Sequence, residues 1–137
     1  MLNVPLRPNK TELLFMDWYG GKLNGVGGDW CTRNPDEADR GQQWIRVQPM
    51  PIHQVNDIEF ENPATIHVYD MDEDRALETC DLIGAWSVAA RQVTICDVFV
   101  SYSGIDLGYV KKSDPELMEY TRYQMTPYFI TRGTPLV

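Results

Sequence analysis

The stretch from Ala64 to Arg91 constrains the fold of this chain more than any other. It opens with ATIHVYD, in which Ile66 and Val68 point one way and Thr65, His67 and Tyr69 the other, the period-two pattern of a strand. A helical pattern follows without a linker. Asp70 or Asp72 is placed to cap it, and Glu73 and Asp74 fall in its first turn, where negative charge complements the helix dipole. Ala76, Leu77, Cys80, Ile83, Gly84 and Val88 then recur at steps of three and four, with Leu82, Ala85, Trp86 and Ala89 widening the apolar face. The pattern predicts a helix reaching Arg91 or Val93, about 20 residues and roughly 30 Å long. The small residues Gly84, Ala85, Ser87, Ala89 and Ala90 would admit a close neighbour. A strand joined directly to an amphipathic helix needs a layered arrangement in which the helix lies on a sheet.

The remaining segments supply the other elements. Asn9 is placed to cap a short helix, with Glu12 as a capping-box partner, and Leu13, Leu14, Phe15, Met16, Trp18 and Tyr19 make it apolar almost all round. Gly20-Gly21 stops it or forms its last turn. Residues 24–42, with GVGGDW and Asn34-Pro35, read as a long irregular loop, whose Trp30 must pack back or meet a partner. WIRVQ (Trp44–Gln48) reads as a strand, and so does Thr94–Ser103, with Val98, Val100 and Tyr102 able to share one face and Cys96 taken as a small buried side chain. Residues 104–115 read as a second long loop. Glu116–Arg132 reads as one long strand or as two segments broken at Pro127, because proline is confined to edges and bulges. The expectation is a single α+β domain over residues 1–137, with two layers. An antiparallel or mixed sheet of about four strands would carry two helices on one face. A chain of 137 residues is long enough to bury such a core unaided.

Charge is unevenly distributed. The net charge is −8, and nine acidic residues against the single Arg75 lie between Asp57 and Asp81, so the rest of the chain is neutral. This pattern lacks the clustered Lys and Arg that clamp phosphates, which argues against a nucleic-acid-binding surface. An acidic run of this kind most often forms a solvated helix face. No stretch of about 18 apolar residues would cross a membrane. The start, MLNVPLRPNKTELL, lacks a signal-peptide pattern, so export by the usual route is not expected. The thiols Cys31, Cys80 and Cys96 follow no paired spacing and read as reduced.

Catalytic and metal-binding signatures are weak. Asp70, Asp72, Asp74, Glu78 and Asp81 imitate the acid spacing of a calcium loop, but Arg75 stands where that loop needs glycine. An acid-rich helix N-terminus explains them better, and no metal or cofactor site is expected. GVGGDW neither follows a strand nor opens a helix, so no phosphate-binding loop is supported. His67 on a strand face reads as a satisfied or exposed residue. No catalytic residue is nominated; a polar pocket with converging ionisable groups around His53 or His67 would revive an enzyme or ligand-binding reading. Tyr102, Tyr109, Tyr120, Tyr123, Tyr128 and Phe129 crowd the last third of the chain. Tyrosine combines large area with a polar tip, so a one-sided sheet rich in it points to docking or self-association as much as to an ordinary core.

Element order and spacing carry one resemblance: a short helix, WIRVQ, then NPATIHVYD, a helix with the rhythm of Ala76, Leu77, Cys80, Ile83 and Trp86, and a closing RYQMTPYFITRG. Over about residues 9–133 this resembles the tail terminator proteins of long-tailed bacteriophages, minor tail proteins of the lambda-like neck. The resemblance implies an α/β structural protein of the virion, assembled in the host cytoplasm. It implies a homohexameric ring that caps the tail tube, ends its polymerisation and offers the surface that joins the head. The implied partners are further copies of the chain, the tail tube protein and head–tail connector proteins, with DNA passing through unbound and no membrane involved. Residues 24–42 form a longer loop than in the shorter members of that family. Asp72, Glu73 and Asp74 are then candidates for the ring lumen, and Trp30, Tyr109, Tyr120 and Tyr123 for subunit or tube contacts. The alternatives are another neck adaptor, such as a tail-completion or head-closure protein, and a small cytoplasmic enzyme or ligand-binding domain.

Overall fold

A computed structural model describes the backbone of residues 6–7 and 10–135 and the side chains of residues 10–133. Among the described residues, nine strands and two helices follow one another as β1 (Leu6–Arg7), α1 (Thr11–Lys22), β2 (Asp29–Cys31), β3 (Gln43–Pro49), β4 (His53–Gln54), β5 (Glu59–Asp70), α2 (Glu73–Ala89), β6 (Val93–Ile95), β7 (Val98–Lys112), β8 (Thr121–Arg132) and β9 (Thr134–Pro135), with a 3₁₀ turn at Glu37–Asp39. Seven strands make one mixed sheet in the order β2-β3-β5-β8-β7-β6, with β4 pairing β5 beside β3. All pairs in it are antiparallel except β2 with β3. The β1–β9 pair stands apart as a two-stranded ribbon. The architecture is α+β, but the sheet is larger than the expected four strands.

The strand and helix that dominate the sequence form as their patterns require. Ile66 and Val68 lie in the main core, while Tyr69 points to the opposite face against Trp44. The strand starts earlier than its alternation shows, at Glu59, and runs through Pro63. A proline fits there because β5 changes partner at that point, from β4 at Phe60 and Glu61 to β3 from Ala64 onward. Asp72 caps α2 by accepting the Arg75 backbone N–H at 3.2 Å. Helix α2 has 17 residues and ends at Ala89, short of Arg91. Gln92, at a φ of 62°, turns the chain into β6.

Four expectations need correction. Helix α1 is not buried all round: Thr11, Leu14, Phe15, Trp18 and Tyr19 form one buried stripe, and Leu13 is 55% exposed. Its N-cap is Lys10, without a side-chain bond, and the proposed cap Asn9 lies outside the described residues. Residues 24–42 contain β2. Gly28 sits at a φ of 79°, where an added Cβ would lie 2.3 Å from the Gln43 carbonyl oxygen, so only glycine lets this segment lie against β3. Thr94–Ser103 is a tight hairpin rather than one strand. Cys96 and Asp97 both take positive φ at its turn, which leaves Cys96 exposed. Residues 104–112 belong to β7, and only 113–120 form a loop. Pro127 does not break β8. It sits at a register shift against β7, between the Ile105–Pro127 and Leu107–Thr126 pairs.

Both helices pack on the same face of the sheet, α1 against β3 and β5, α2 against β5, β7 and β8. The core between them joins Phe15, Ile45, Val47, Ile66, Ile83 and Phe129. Phe15 packs tilted against Phe129, ring centroids 4.5 Å apart, and the Tyr19 hydroxyl meets Ser87 Oγ at 2.5 Å across the helix pair. Among the described residues, no helix is long and apolar enough to cross a membrane.

Candidate interaction surfaces

The acidic start of α2 is a built capping structure. Asp70, 1% exposed, holds Arg75 through both carboxylate oxygens, at 2.8 and 2.7 Å, and its Oδ1 also accepts the Asp72 N–H. Two of the acids that imitate a calcium loop are therefore committed to the turn. Among the described residues no group of three or more His, Cys, Asp or Glu could hold a metal ion. Glu73 accepts bonds from Lys111 at 2.8 Å and from the Tyr123 hydroxyl at 3.0 Å, and these donors hold its carboxyl below the usual range. Asp74 is exposed on the same turn.

The four aromatic candidates do not share a surface. Trp30, on β2, packs back on its own chain, stacked on Tyr19 at 5.3 Å. Tyr120 is 9% exposed; it donates to the Gly41 carbonyl at 2.7 Å and stands edge-on to Trp44. Tyr123 is 7% exposed in the helix-side core. Tyr109 is the exposed one, at 42%, with its ring against Tyr123 at 5.8 Å. Tyr102 does not share a face with Val100. A bulge at Ser101 turns it outward, where Arg91 covers its ring at 4.2 Å and Tyr128 lies beyond.

The outer face of the sheet, opposite the helices, carries a group that sequence reasoning missed. At one end the 113–120 loop folds over it, and Leu117 and Tyr120 pack on Trp44 and Tyr69. Next along the strands, register places Arg46, His67 and Gln124 side by side, with Arg122 one step away on β8. His67 is 3% exposed and bonds Gln48 Oε1 through Nε2 at 2.9 Å. Burial first, and then the charges of Arg46 and Arg122, push its pKa down to about 3, so the ring is neutral. Arg122 bonds Gln124 at 3.1 Å and lies 3.9 Å from Asp114. Five buried side-chain atoms among the described residues have no hydrogen-bond partner, and three of them belong to this group: Arg46 Nε, His67 Nδ1 and Arg122 Nε. The alternation of WIRVQ and ATIHVYD already put Arg46 and His67 on outward positions. Only the pairing of β5 with β8 brings Arg122 to them.

A cavity of about 660 Å³ lies elsewhere, lined by Asp29–Pro35 and Trp44. Its lining includes Cys31, whose thiol burial pushes up, away from the reactive thiolate. His53 is exposed on β4. The shifted His67 faces arginines.

No protein-family model and no curated protein matches the chain. Among solved structures, a chain from the virion of a native gene transfer agent (GTA) particle superposes with a TM-score of 0.59 at 11% identity, over 89% of this chain and 90% of that one. The fold is shared nearly end to end.

Proposed function

We propose that this chain is a structural protein of a phage-like particle. Its proposed role is that of a tail terminator, forming a homohexameric ring that caps the tail tube and presents the head-joining surface. The observation that carries this reading is the end-to-end likeness to a chain of a GTA virion. The resemblance in element order supports it. The mechanism is binding: the ring occupies the growing end of the tube where the next tube subunit would add. A head-to-tail ring needs two different patches on each subunit, and this protomer offers a helix layer on one side and a polar sheet face on the other. Its partners are copies of itself, the tail tube protein and the head–tail connector proteins, and its location is the virion. The acidic first turn of α2, with Asp72, Glu73 and Asp74, is proposed to line the lumen, where like charge keeps DNA from sticking.

Electron microscopy of particles assembled without this chain tests the role. Tails of uncontrolled length are expected. Tails of normal length that fail to join heads would overturn the terminator reading in favour of another neck adaptor. Reversing the charges of Asp72, Glu73 and Asp74 is expected to slow DNA passage through assembled particles, and unchanged delivery would remove those residues from the lumen.

A further inference from the structure

The polar group on the outer face carries more positive than negative charge, with Arg46 and Arg122 against Asp114. Among the described residues Arg46 forms no ion pair, and Arg122 pairs with Asp114 at 3.9 Å. Beneath them His67, at 3% exposure, bonds Gln48 and brings no negative charge to the face. Arg46 Nε and Arg122 Nε are donors without partners, and unpaired buried donors are costly. Two guanidinium groups with free donors are built to receive carboxylates.

The other side of the protomer supplies those carboxylates. On α2, Glu78 and Asp81 lie on one exposed line, three residues apart, and neither takes part in an ion pair among the described residues. The helix packs on the sheet face opposite to Arg46 and Arg122, so the two patches cannot meet within one subunit. They can meet between subunits. We infer that the outer face around Arg46, His67 and Arg122 docks onto the Glu78–Asp81 line of α2 in a second copy of this chain. The contact joins unlike patches, so it is head-to-tail and builds a ring or a filament according to whether its rotation closes. This deepens the ring reading above and rests on it. The acidic first turn of α2 stays outside the contact and remains available to the lumen.

Charge reversal tests the contact on the whole chain. Glu78→Lys with Asp81→Lys, and separately Arg46→Glu with Arg122→Glu, are each expected to raise the dissociation constant for self-association at least about tenfold by sedimentation. Mixing the two variants should restore assembly, because every junction of an alternating ring again pairs opposite charges. Glu78 and Asp81 are exposed, so the helix variant keeps its fold, which circular dichroism checks. Assemblies that tolerate both reversals would overturn this contact while leaving the ring reading standing. A wild-type chain that stays monomeric at every concentration would overturn the contact as well. Loss of binding to a short DNA duplex in the arginine variant, with self-association unchanged, would reassign the face to phosphate. The tail-length experiment decides the ring reading separately.

Discussion

The two faces of the sheet are built on opposite principles. On the helix side, Phe129, Ile66 and Ile45 are fully buried among apolar neighbours, and Asn62 donates to Thr131 Oγ1 at 2.8 Å and to the Phe129 carbonyl at 3.2 Å, while Trp30 Nε1 and Gln43 Oε1 have no partner. On the outer side, the same strands bury an aromatic pair, Trp44 on Tyr69 at 4.6 Å, beside arginines and a histidine with unbonded nitrogens. Apolar burial dominates the first face. The second gathers three of the five buried side-chain atoms without a hydrogen-bond partner among the described residues, all three on basic side chains.

Substitutions on either side should separate these roles. The largest effect is expected from Phe129→Ala. It empties the contact with Phe15 in a site of zero exposure, and thermal or denaturant unfolding should show a loss of about 3–5 kcal/mol. Next is the pH response of the outer face. His67 stays neutral when folded, with a pKa near 3, but takes up a proton near 6.5 when unfolded. Its contribution to stability is therefore complete above about pH 6.5 and declines as pH falls towards 3. The slope has a ceiling of about 1.4 kcal/mol per pH unit, reduced by solvent screening at the rim. The groups facing it are Arg46, Arg122, Gln48 and Gln124, with Asp114 behind Arg122. His67→Gln should flatten the stability profile between pH 6.5 and 4, and an unchanged slope would show that the ring is already solvated. Tyr120→Phe removes the bond to Gly41 and should cost about 1 kcal/mol. Tyr109→Ala should change stability by no more than about 0.5 kcal/mol, because the ring lies at the surface, 42% exposed.

What the residues alone reveal depends on whether their pattern is local. Strand β5 and helix α2 are legible because their buried positions alternate or recur in a single window. Strand β7 is not, since beyond Ile105 both its faces are exposed, and Gly104 and Gly108 mimic a loop. Gly104 is in fact seated beneath Tyr128, whose hydroxyl lies 2.8 Å from where a Cβ would stand. The β6–β7 turn hides for a different reason: Cys96 and Asp97 adopt positive φ without a glycine to announce it. The candidate surface was legible residue by residue but not as a group. Arg46 and His67 lie 21 positions apart, and Arg122 joins them only through register.

Strand order has a temporal consequence. Strand β8 comes late in the chain yet lies between β5 and β7, so the two halves of the sheet share no hydrogen-bonded seam until residues 121–132 are inserted. A ribosome making this protein must hold Trp44, Tyr69 and the apolar side of α2 uncovered through most of synthesis, and closure is a long-range event of the slow kind. Neither surface of the finished sheet exists before that insertion, so assembly into any larger particle is gated by completion of the fold.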